Sequence, residues 1–485
     1  MTNRPEVYPA PTRRPASIPF GLLILAALVT NDLPAVLERA RRLVGSGETA
    51  PRRFRSEALA ALAALLRDRR ATWEEALRAD LGAPAFETWA TQTGLVLAEI
   101  RHARRHLRRW MRPRRVATPL AVMPARSRIE PAPVGVVLVI APWNYPLQLS
   151  LAPAVAAIAA GNAVVIKPSE HAPRTAERLA ELAPPALAPG LVQVVEGGPE
   201  TAQALIAQGC DHVLFTGSRR VGALVAEAAG RRLTPVTLEL GGKCPALVDR
   251  SADLRLAARR LAWAKFLNAG QTCVAPDFVL VPEDRYDEFS ERLGENLERF
   301  YGGAPAESPD YGRIVHETHF RRLERLLSGL PLRWGGERDP ERLYFGPTVT
   351  GPWPDGHAAQ REEIFGPILP LLPYRNLDDA LTEIGAYPDP LALYVFARRR
   401  EPIRRAAAVL RSGALVTNDA VVHCANPALP FGGVGRSGHG SYHGVHGFEL
   451  LSHKRAVLNA ATWLDPPVRY PPYRGKLGLL RLLLR

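Results

Sequence analysis

The first part of the chain has hydrophobic positions at helical spacing. Apolar side chains recur three and four residues apart over 55–79 and again over 94–110, which predicts two amphipathic helices. The pattern then changes, because 134–140 is a continuous run rich in valine, as is typical of a strand buried on both faces of a sheet. The chain therefore begins with helices and then enters a sheet.

Strand-like and helix-like runs alternate after this point. Repeated strand, helix, strand units are the pattern of a parallel sheet with crossover helices. The first series has predicted strands at 163–166, 192–195, 213–215 and 236–240, with helices at 174–182, 199–208 and 219–229. The second has strands at 278–281, 391–396 and 414–416, with helices near 283–300 and 401–410. We therefore predict an α/β protein with two parallel-sheet domains that meet near residues 240–242.

Composition agrees with a globular protein. The chain has 485 residues, of which 47% are hydrophobic and 23% charged, which disfavours disordered and fibrous classes. The net charge of +14 raises the question of nucleic-acid binding. The arginine runs at 101–109 and 398–400 lack the interleaved aromatic residues that stack on bases, so we expect solvated faces and no specific nucleic-acid partner.

Cysteine usage and the two termini bear on location. The four cysteines, at 210, 244, 273 and 424, form no C-x-x-C pair, so we expect no disulfide framework, no metal site and a reducing cytoplasm. The apolar run at 18–29 is too short to span a bilayer, and we expect 1–30 to be an extension outside the fold. The basic, apolar tail at 474–485 predicts either weak contact with a membrane surface or docking on its own protein.

Three residues are candidates for covalent chemistry. Cys273 stands alone after Gly-Gln-Thr, and is either a buried structural thiol or a nucleophile that needs a base, a helix dipole or a cation. Glu239 ends a predicted strand beside two glycines, as a general base or a salt-bridged residue. Asn144 follows another strand, where its amide would stabilise an oxyanion or belong to a proline-bounded turn. The other three cysteines are expected to be buried small hydrophobes.

Two stretches point to a dinucleotide. FTGSRRVG (215–222) follows a strand and opens a helix, although it lacks the full G-x-G-x-x-G spacing, and an ordinary turn is the alternative. Lys167 and Glu170 lie at the carboxyl end of a predicted strand, where ligands of open α/β sheets bind. They would hydrogen-bond a ribose diol or form a solvated pair.

Together these stretches resemble the NAD(P)-dependent aldehyde dehydrogenases, and most of all the class 3 branch, with its fatty and aromatic aldehyde dehydrogenases, and coniferyl aldehyde dehydrogenase. The resemblance runs from about residue 31 to about 473, in order and spacing as well as in letters. Its stretches are APWNYP (141–146), GNAVVIKPSE (161–170), FTGSRRVG (215–222), LTPVTLELGGK (233–243), NAGQTCVAPD (268–277), EEIFGP (362–367), PLALYVF (390–396) and LPFGGVGRSGHGSYHG (429–444).

The resemblance implies the aldehyde dehydrogenase-like fold, with two Rossmann-type domains and a small β oligomerisation arm, and a homodimer. The implied domains are a dinucleotide-binding domain at 31–112 and 130–240, a catalytic domain at 241–441, an arm at 113–129 and 442–473, and the tail.

The resemblance also assigns roles to residues. Cys273 matches the nucleophile, Asn144 the oxyanion donor, and Glu239 the base that activates water to hydrolyse a thioester. Tyr145 is expected to line the substrate tunnel. The residues that match cofactor contacts are Lys167, Glu170, Trp143, Gly217, Ser218, Gly222, Glu363 and Phe365.

The implied reaction is oxidation of a medium-chain aliphatic or aromatic aldehyde to the acid with NAD or NADP. Glu170 favours NAD by charge, whereas Arg219 and Arg220 would tolerate the extra phosphate of NADP. A CoA-acylating relative and a catalytically silent binding protein are the alternatives. Glu239 favours water over a thiol as the group that resolves the thioester, and the complete set of candidate catalytic residues argues against a silent relative.

Overall fold

Eighteen strands and seventeen α-helices form the part of the chain that this computed structural model describes, residues 33–484. The expected extension at 1–30 lies outside the described residues. The strands are β1 (Arg114–Val116), β2 (Ala125–Pro133), β3 (Val136–Ile140), β4 (Ala163–Lys167), β5 (Val192–Val194), β6 (His212–Gly217), β7 (Val236–Leu240), β8 (Pro245–Val248), β9 (Phe278–Pro282), β10 (Leu332–Gly335), β11 (Arg338–Asp339), β12 (Tyr344–Phe345), β13 (Thr348–Thr350), β14 (Ile368–Tyr374), β15 (Ala392–Phe396), β16 (Ala414–Thr417), β17 (Gly438–His439) and β18 (Ser452–Ala460). The helices are α1 (Leu33–Gly45), α2 (Arg52–Asp68), α3 (Arg70–Leu81), α4 (Ala85–Thr88), α5 (Gly94–Trp110), α6 (Pro146–Ala160), α7 (Pro173–Leu182), α8 (Pro199–Gln208), α9 (Arg219–Gly230), α10 (Leu254–Phe266), α11 (Tyr286–Tyr301), α12 (Glu317–Leu327), α13 (Ala358–Arg361), α14 (Leu377–Gly385), α15 (Arg400–Val409), α16 (Gly444–Leu450) and α17 (Leu477–Leu483).

The first sheet has the strand order β17-β7-β6-β3-β4-β5. Strands β3 to β7 run parallel, and only the short β17 is antiparallel. The chain moves outward from β3 through β4 to β5 and then returns to place β6 on the other side of β3. Ligands of such sheets bind at the carboxyl ends of the strands where the order reverses, which here are β3 and β6.

The second sheet has the order β10-β13-β14-β9-β8-β15-β16, parallel except for β10. Segments that precede β9 and β14 carry Cys273, Glu363 and Phe365, so the amino-terminal edge of this sheet contributes these residues. The two parallel-sheet regions predicted from the sequence, and with them the predicted α/β class, are confirmed.

A separate three-stranded antiparallel sheet, β1-β2-β18, joins the two segments expected in the oligomerisation arm. Its main pairing runs from Ala125 opposite Ala460 to Pro133 opposite Ser452. Helix α16, also in the expected arm segment, packs Phe448 into the core beneath α5 and α6. The division of the chain into domains stays a prediction.

Two helical features differ from the prediction. The single helix expected over 55–79 is two helices, α2 and α3, because the backbone leaves helical geometry at Arg69 and the halves pack on different partners. Helix α6 was not predicted, since it is buried along its whole length and has no polar face to reveal a helical period. Within residues 33–484, no helix has the length and apolar character needed to cross a membrane.

Candidate active site

A cleft of about 310 Å³ lies between the two large sheets. One wall comes from the carboxyl ends of β3, β6 and β7, and the other from the segments before β9 and β14. The predicted site residues that line it are Trp143, Asn144, Gly217, Ser218, Glu239, Cys273, Glu363 and Phe365. Of the remaining predicted residues, Tyr145 lines a neighbouring cavity, whereas Lys167, Glu170 and Gly222 line neither space.

The loop before Cys273 has an unusual backbone. Asn268, Ala269 and Gly270 are three consecutive residues with φ of 52°, 51° and 72°, in the left-handed region that disfavours most side chains. Asparagine tolerates this region, and a Cβ on Gly270 would lie 2.3 Å from the carbonyl oxygen of Gly366. The sequence Asn-Ala-Gly is therefore compatible with the tight turn that places Cys273 in the cleft.

Gln271 holds this loop from inside the protein. Its Nε2 donates to the carbonyl oxygens of Asn268 (3.1 Å) and Arg313 (2.9 Å), and its Oε1 accepts from the backbone N–H of Val315 (3.0 Å). Gln271 is fully buried, so these bonds are protected from water. Neither Gln271 nor Asn268 was predicted as a site residue, although both letters belong to the NAGQTC stretch.

Asn144 is joined to the same loop. Its Nδ2 donates to the carbonyl oxygen of Gln271 (3.0 Å), and its own carbonyl oxygen accepts from Asn268 Nδ2 (2.8 Å). An amide nitrogen carries two N–H groups, and Gln271 uses one of them. Burial raises the pKa of Cys273 well above the ordinary value of a thiol, so the sulfur is protonated in this state.

Glu239 has an unsatisfied carboxyl group. The residue is 2% exposed, and neither of its carboxyl oxygens has a hydrogen-bond partner in the described part of the chain. Burial raises its pKa well above the ordinary value, which makes the neutral acid the resting form. Gly438 of β17 pairs opposite Glu239 and fixes the end of β7. A Cβ on Gly438 would lie 1.9 Å from the carbonyl oxygen of Leu238, so this position needs glycine.

Glu363 and Phe365 occupy the opposite wall of the cleft. Burial, with a smaller contribution from Asp277, raises the pKa of Glu363 to about 8. A Cβ on Gly241 would lie 2.0 Å from Glu363 Oε2, so only glycine at this position leaves room for the Glu363 carboxyl group. Phe365 has a φ of 50°, and its ring lies 5.4 Å from that of Trp143, edge to face.

Two residues of the cleft were not predicted. His319 Nε2 hydrogen-bonds the carbonyl oxygen of Phe365 at 2.8 Å, with the histidine as donor. Arg322 donates to the carbonyl oxygens of Glu363 and of Ile364, the latter at 2.9 Å. Both lie on α12 and support the segment that carries the acid and the aromatic ring. No motif in the sequence distinguished them from other polar residues on an amphipathic helix.

The glycine-containing turn has the form that an anion site needs. Ser218 caps α9, its Oγ accepting from the N–H of Val221 at 3.4 Å, and the first turn of α9 opens toward the cleft. A Cβ on Gly217 would lie 2.5 Å from the ring of Phe215, and one on Gly222 would lie 2.6 Å from Leu240. These two glycines are therefore required by packing.

Lys167 and Glu170 form an ion pair at the end of β4. Lys167 Nζ lies 2.6 Å from Glu170 Oε2, and the lysine is buried. Burial opposes ionisation of Glu170, yet the hydrogen bond from Lys167 lowers the pKa of Glu170 below its ordinary value. A fixed carboxylate thus stands at the carboxyl edge of the first sheet.

A second, smaller cavity adjoins the sulfur. It has a volume of about 70 Å³ and a mainly apolar wall that includes Cys273 and Cys424. Tyr145 lies there, with its hydroxyl 2.6 Å from that of Thr272. Cys273 thus lines both the cleft and this smaller cavity. Cys210 and Cys244 are buried as expected, whereas Cys424 is only partly buried and faces the cavity.

The comparisons with known proteins identify the family. The aldehyde dehydrogenase family model matches residues 25–457, and the chain belongs to this family. Among curated relatives, 4,4'-diaponeurosporen-aldehyde dehydrogenase of Staphylococcus aureus is 42% identical, over 89% of this chain and 95% of the relative. Aldehyde dehydrogenase family 3 member H1 of Arabidopsis thaliana is 44% identical, over 84% and 86%. Such relatives confirm the class 3 branch.

A solved structure confirms the fold. The substrate-bound state of Staphylococcus aureus AldH superposes with a TM-score of 0.90 at 40% identity, over 93% of this chain and 99% of that one. Proteins of this family are NAD(P)-dependent oxidoreductases, so the chain is an enzyme that oxidises aldehydes to carboxylic acids with NAD or NADP. The predicted family, enzyme class and cofactor are confirmed.

Proposed function

We propose that this enzyme oxidises medium-chain aliphatic or aromatic aldehydes through a covalent intermediate on Cys273. The observation that carries the proposal is that Cys273 lines both spaces, a cleft that suits the nicotinamide half of a dinucleotide and a small apolar cavity that suits a hydrocarbon. A water-sized group needs about 10–15 Å³ of such space, so 70 Å³ suits roughly five to seven heavy atoms, the size of the hydrocarbon part of hexanal or heptanal or of a phenyl ring.

The first step is attack of the Cys273 sulfur on the aldehyde carbon. A carbon–sulfur bond forms as the carbonyl π bond breaks, the thiol proton passes to water in the cleft, and the carbonyl oxygen becomes an oxyanion. The free N–H of the Asn144 amide and the backbone N–H of Cys273 are the donors for this oxygen. Because Gln271 fixes both Asn144 and the loop, the donors are in place before the charge develops.

The second step leaves a thioester on Cys273. NAD(P)+, when bound, accepts the hydride that the tetrahedral carbon loses. Glu363 and Phe365 would hold the nicotinamide end, whereas Trp143, Gly217, Ser218 and Gly222 belong to the pyrophosphate side. The cleft suits the nicotinamide half of this group, because Glu363, Phe365 and Ser218 line one continuous space and the first turn of α9, which Ser218 caps, favours an anion.

The third step is hydrolysis of the thioester. Glu239 takes a proton from water as the water oxygen attacks the acyl carbon. The carbon–sulfur bond then breaks, Glu239 returns the proton to the sulfur, and the carboxylic acid leaves with the thiol restored. For this role Glu239 must lose its own proton. The two oxygens of Glu239 have no partner in the described chain, so an entering water can hydrogen-bond them, stabilise the carboxylate and thereby favour loss of the proton.

We also propose that the enzyme prefers NAD, lies in the cytoplasm and is a homodimer. Lys167 and Glu170 would contact the adenosine ribose, where the carboxylate repels a 2′-phosphate. The four free cysteines fit a reducing compartment. The exposed β1-β2-β18 sheet would carry the dimer contact.

The test is a spectrophotometric panel of aldehydes from three to twelve carbons, with benzaldehyde, against NAD and NADP. We expect kcat/KM to rise with chain length up to about six or seven carbons, as the cavity fills. Cys273→Ala is expected to abolish coenzyme reduction. Cys210→Ala, which removes a buried thiol far from the cleft, is the matched control. Normal turnover by Cys273→Ala would refute the nucleophile assignment.

A further inference from the structure

The polar side chains of the small cavity fall into two groups. Thr91 donates to the carbonyl oxygen of Glu87 at 2.6 Å, and the hydroxyls of Tyr145 and Thr272 bond each other. These three hydroxyls already have partners and have no need of a ligand. The remaining polar residues of the wall, apart from the cysteines, are Gln148, Tyr442 and His443.

Among residues 33–484 these three side chains make no hydrogen bond, and their polar atoms keep some surface that a water-sized group can reach. They are 9%, 1% and 6% exposed, so they are also removed from bulk solvent. A buried amide without a partner costs free energy that a ligand able to bond it would recover. Sites for small molecules typically combine an apolar wall with a few such polar groups.

Gln148 and His443 lie where the cavity meets a second space of about 10 Å³, which Leu95, Glu99 and Cys424 also line and Cys273 does not. Gln148 belongs to the first turn of α6, which fixes its backbone. The ring of His443 stacks on Phe431 at 5.5 Å. Two fixed polar groups therefore stand where the remote end of a bound aldehyde would lie.

The imidazole of His443 is neutral. Burial lowers its pKa to about 4, with a smaller contribution from His423. A neutral imidazole offers one donor and one acceptor, and an amide offers both as well. An ionised substrate group would have to enter an apolar cavity without a counter-charge, which is costly.

We infer that Gln148 and His443 form a recognition site for a neutral hydrogen-bonding group, such as a hydroxyl, at the end of the substrate remote from the aldehyde. The inference rests on the proposed function and narrows its substrate class. The apolar wall accepts the hydrocarbon part, and the two polar groups select aldehydes that carry a hydroxyl over those that carry a methyl of the same size. The hydroxyl of Tyr442 is a third polar group along the wall.

The test compares matched aromatic aldehydes. The kcat/KM ratio of 3-hydroxybenzaldehyde to 3-methylbenzaldehyde, and of the corresponding 4-substituted pair, is measured in the wild type, Gln148→Leu and His443→Phe at about pH 6, where both phenols keep their proton. Comparison across variants cancels the electronic effect of the substituent on the aldehyde. For at least one pair we expect each variant to lower the ratio several-fold, up to about tenfold, as the loss of one hydrogen bond would.

Thr91→Val is the matched control, because it removes a hydroxyl from the same wall that already has a partner. We expect it to leave the ratios unchanged. Retained turnover of the methyl substrates establishes that the variants are folded. Ratios that are equal in the wild type and in both Gln148→Leu and His443→Phe would overturn the inference and leave aldehyde oxidation intact. Loss of the proposed function would instead appear as no turnover of any aldehyde by the wild type.

Discussion

At the scale of single residues, burial favours the neutral forms of the two proposed reactive groups, Cys273 and Glu239. An ordinary thiol with a pKa of about 8.5 is only a few per cent thiolate at neutral pH, and burial reduces that fraction further for Cys273. Burial likewise keeps Glu239 protonated. Both groups line the same cleft, so a change in the hydration of the cleft alters the pKa of both.

Glu239→Gln tests the division of labour between these residues. Glutamine keeps the size of the side chain but cannot accept a proton, so we expect acylation to persist and hydrolysis to slow by roughly a hundredfold or more. Rapid-mixing kinetics should record a burst of NAD(P)H of about one equivalent per site, followed by a depressed steady state. A lost burst would mean that Glu239 acts before the thioester forms.

Glu170→Gln tests the coenzyme preference. The substitution removes a carboxylate charge and keeps a hydrogen-bonding side chain beside Lys167. We expect kcat/KM for NADP to rise several-fold relative to NAD, because repulsion of the 2′-phosphate is removed. Glu177→Gln, which neutralises an exposed acid on the next helix, is the control. An unchanged NADP to NAD ratio would show that another residue sets the preference.

At the scale of helices and strands, sequence periodicity predicts the elements that have one solvated face or a short buried run. Helix α5 begins and ends at the predicted residues, Gly94 and Trp110, and β7 does so at Val236 and Leu240. Helix α6 gave no such signal, because its buried surface extends all round. The backbone of the loop before Cys273 was also beyond prediction, since φ values at Asn268 and Ala269 depend on contacts with distant residues. The sequence motifs predicted most of the residues that line the cleft. The polar residues of the small cavity, apart from Tyr145, were identified only from the structure.

Helix α5 also carries a buried acid that links it to α16. Glu99 is 6% exposed, its Oε1 accepts from the N–H of Gly444 at 2.6 Å, and burial raises its pKa to about 7. Between the ordinary value of about 4.5 and the folded value of about 7, the unfolded chain has lost a proton that the folded chain keeps. The free energy of unfolding contributed by Glu99 therefore falls as pH rises through this window.

Glu99→Gln is expected to remove this dependence, because glutamine keeps the acceptor for Gly444 and does not titrate. Relative to the variant, the wild type should lose on the order of 2–3 kcal/mol of stability between pH 4.5 and 7.5. Urea unfolding at a series of pH values measures the difference. Parallel curves for the two proteins would contradict the assigned pKa.

At the scale of the whole molecule, the excess positive charge is spread over solvated faces. Many arginines pair with a carboxylate one turn away on the same helix, such as Arg53 with Glu57 at 2.7 Å and Arg321 with Glu324 at 2.9 Å. Such exposed pairs contribute little to stability, but each carboxylate offsets the positive charge of the neighbouring arginine. This arrangement favours solubility over a continuous basic surface for nucleic acid.

The molecule has one sheet that looks incomplete as a single chain. Strand β18 is nine residues long and forms an edge of the β1-β2-β18 sheet, so its outer backbone groups lack a partner strand within the described chain. Leu458 on this strand and Trp463 just after it are 54% and 78% exposed. A long edge with exposed apolar side chains is typical of a surface that another subunit covers.

We therefore expect sedimentation and light scattering to give twice the chain mass of 53.0 kDa. The double variant Leu458→Glu with Trp463→Glu should shift the mass to that of one chain, because two carboxylates would be buried without counter-charges in the contact. Leu233→Glu is the matched control, since this leucine is 91% exposed and lies in the turn between α9 and β7, outside the β1-β2-β18 sheet. All the proposed catalytic residues come from one chain, so the separated subunit should still form the thioester in a single turnover. A double variant that stays dimeric would show that the dimer contact lies elsewhere. A wild type with the mass of one chain would show that the β1-β2-β18 sheet does not form a dimer contact.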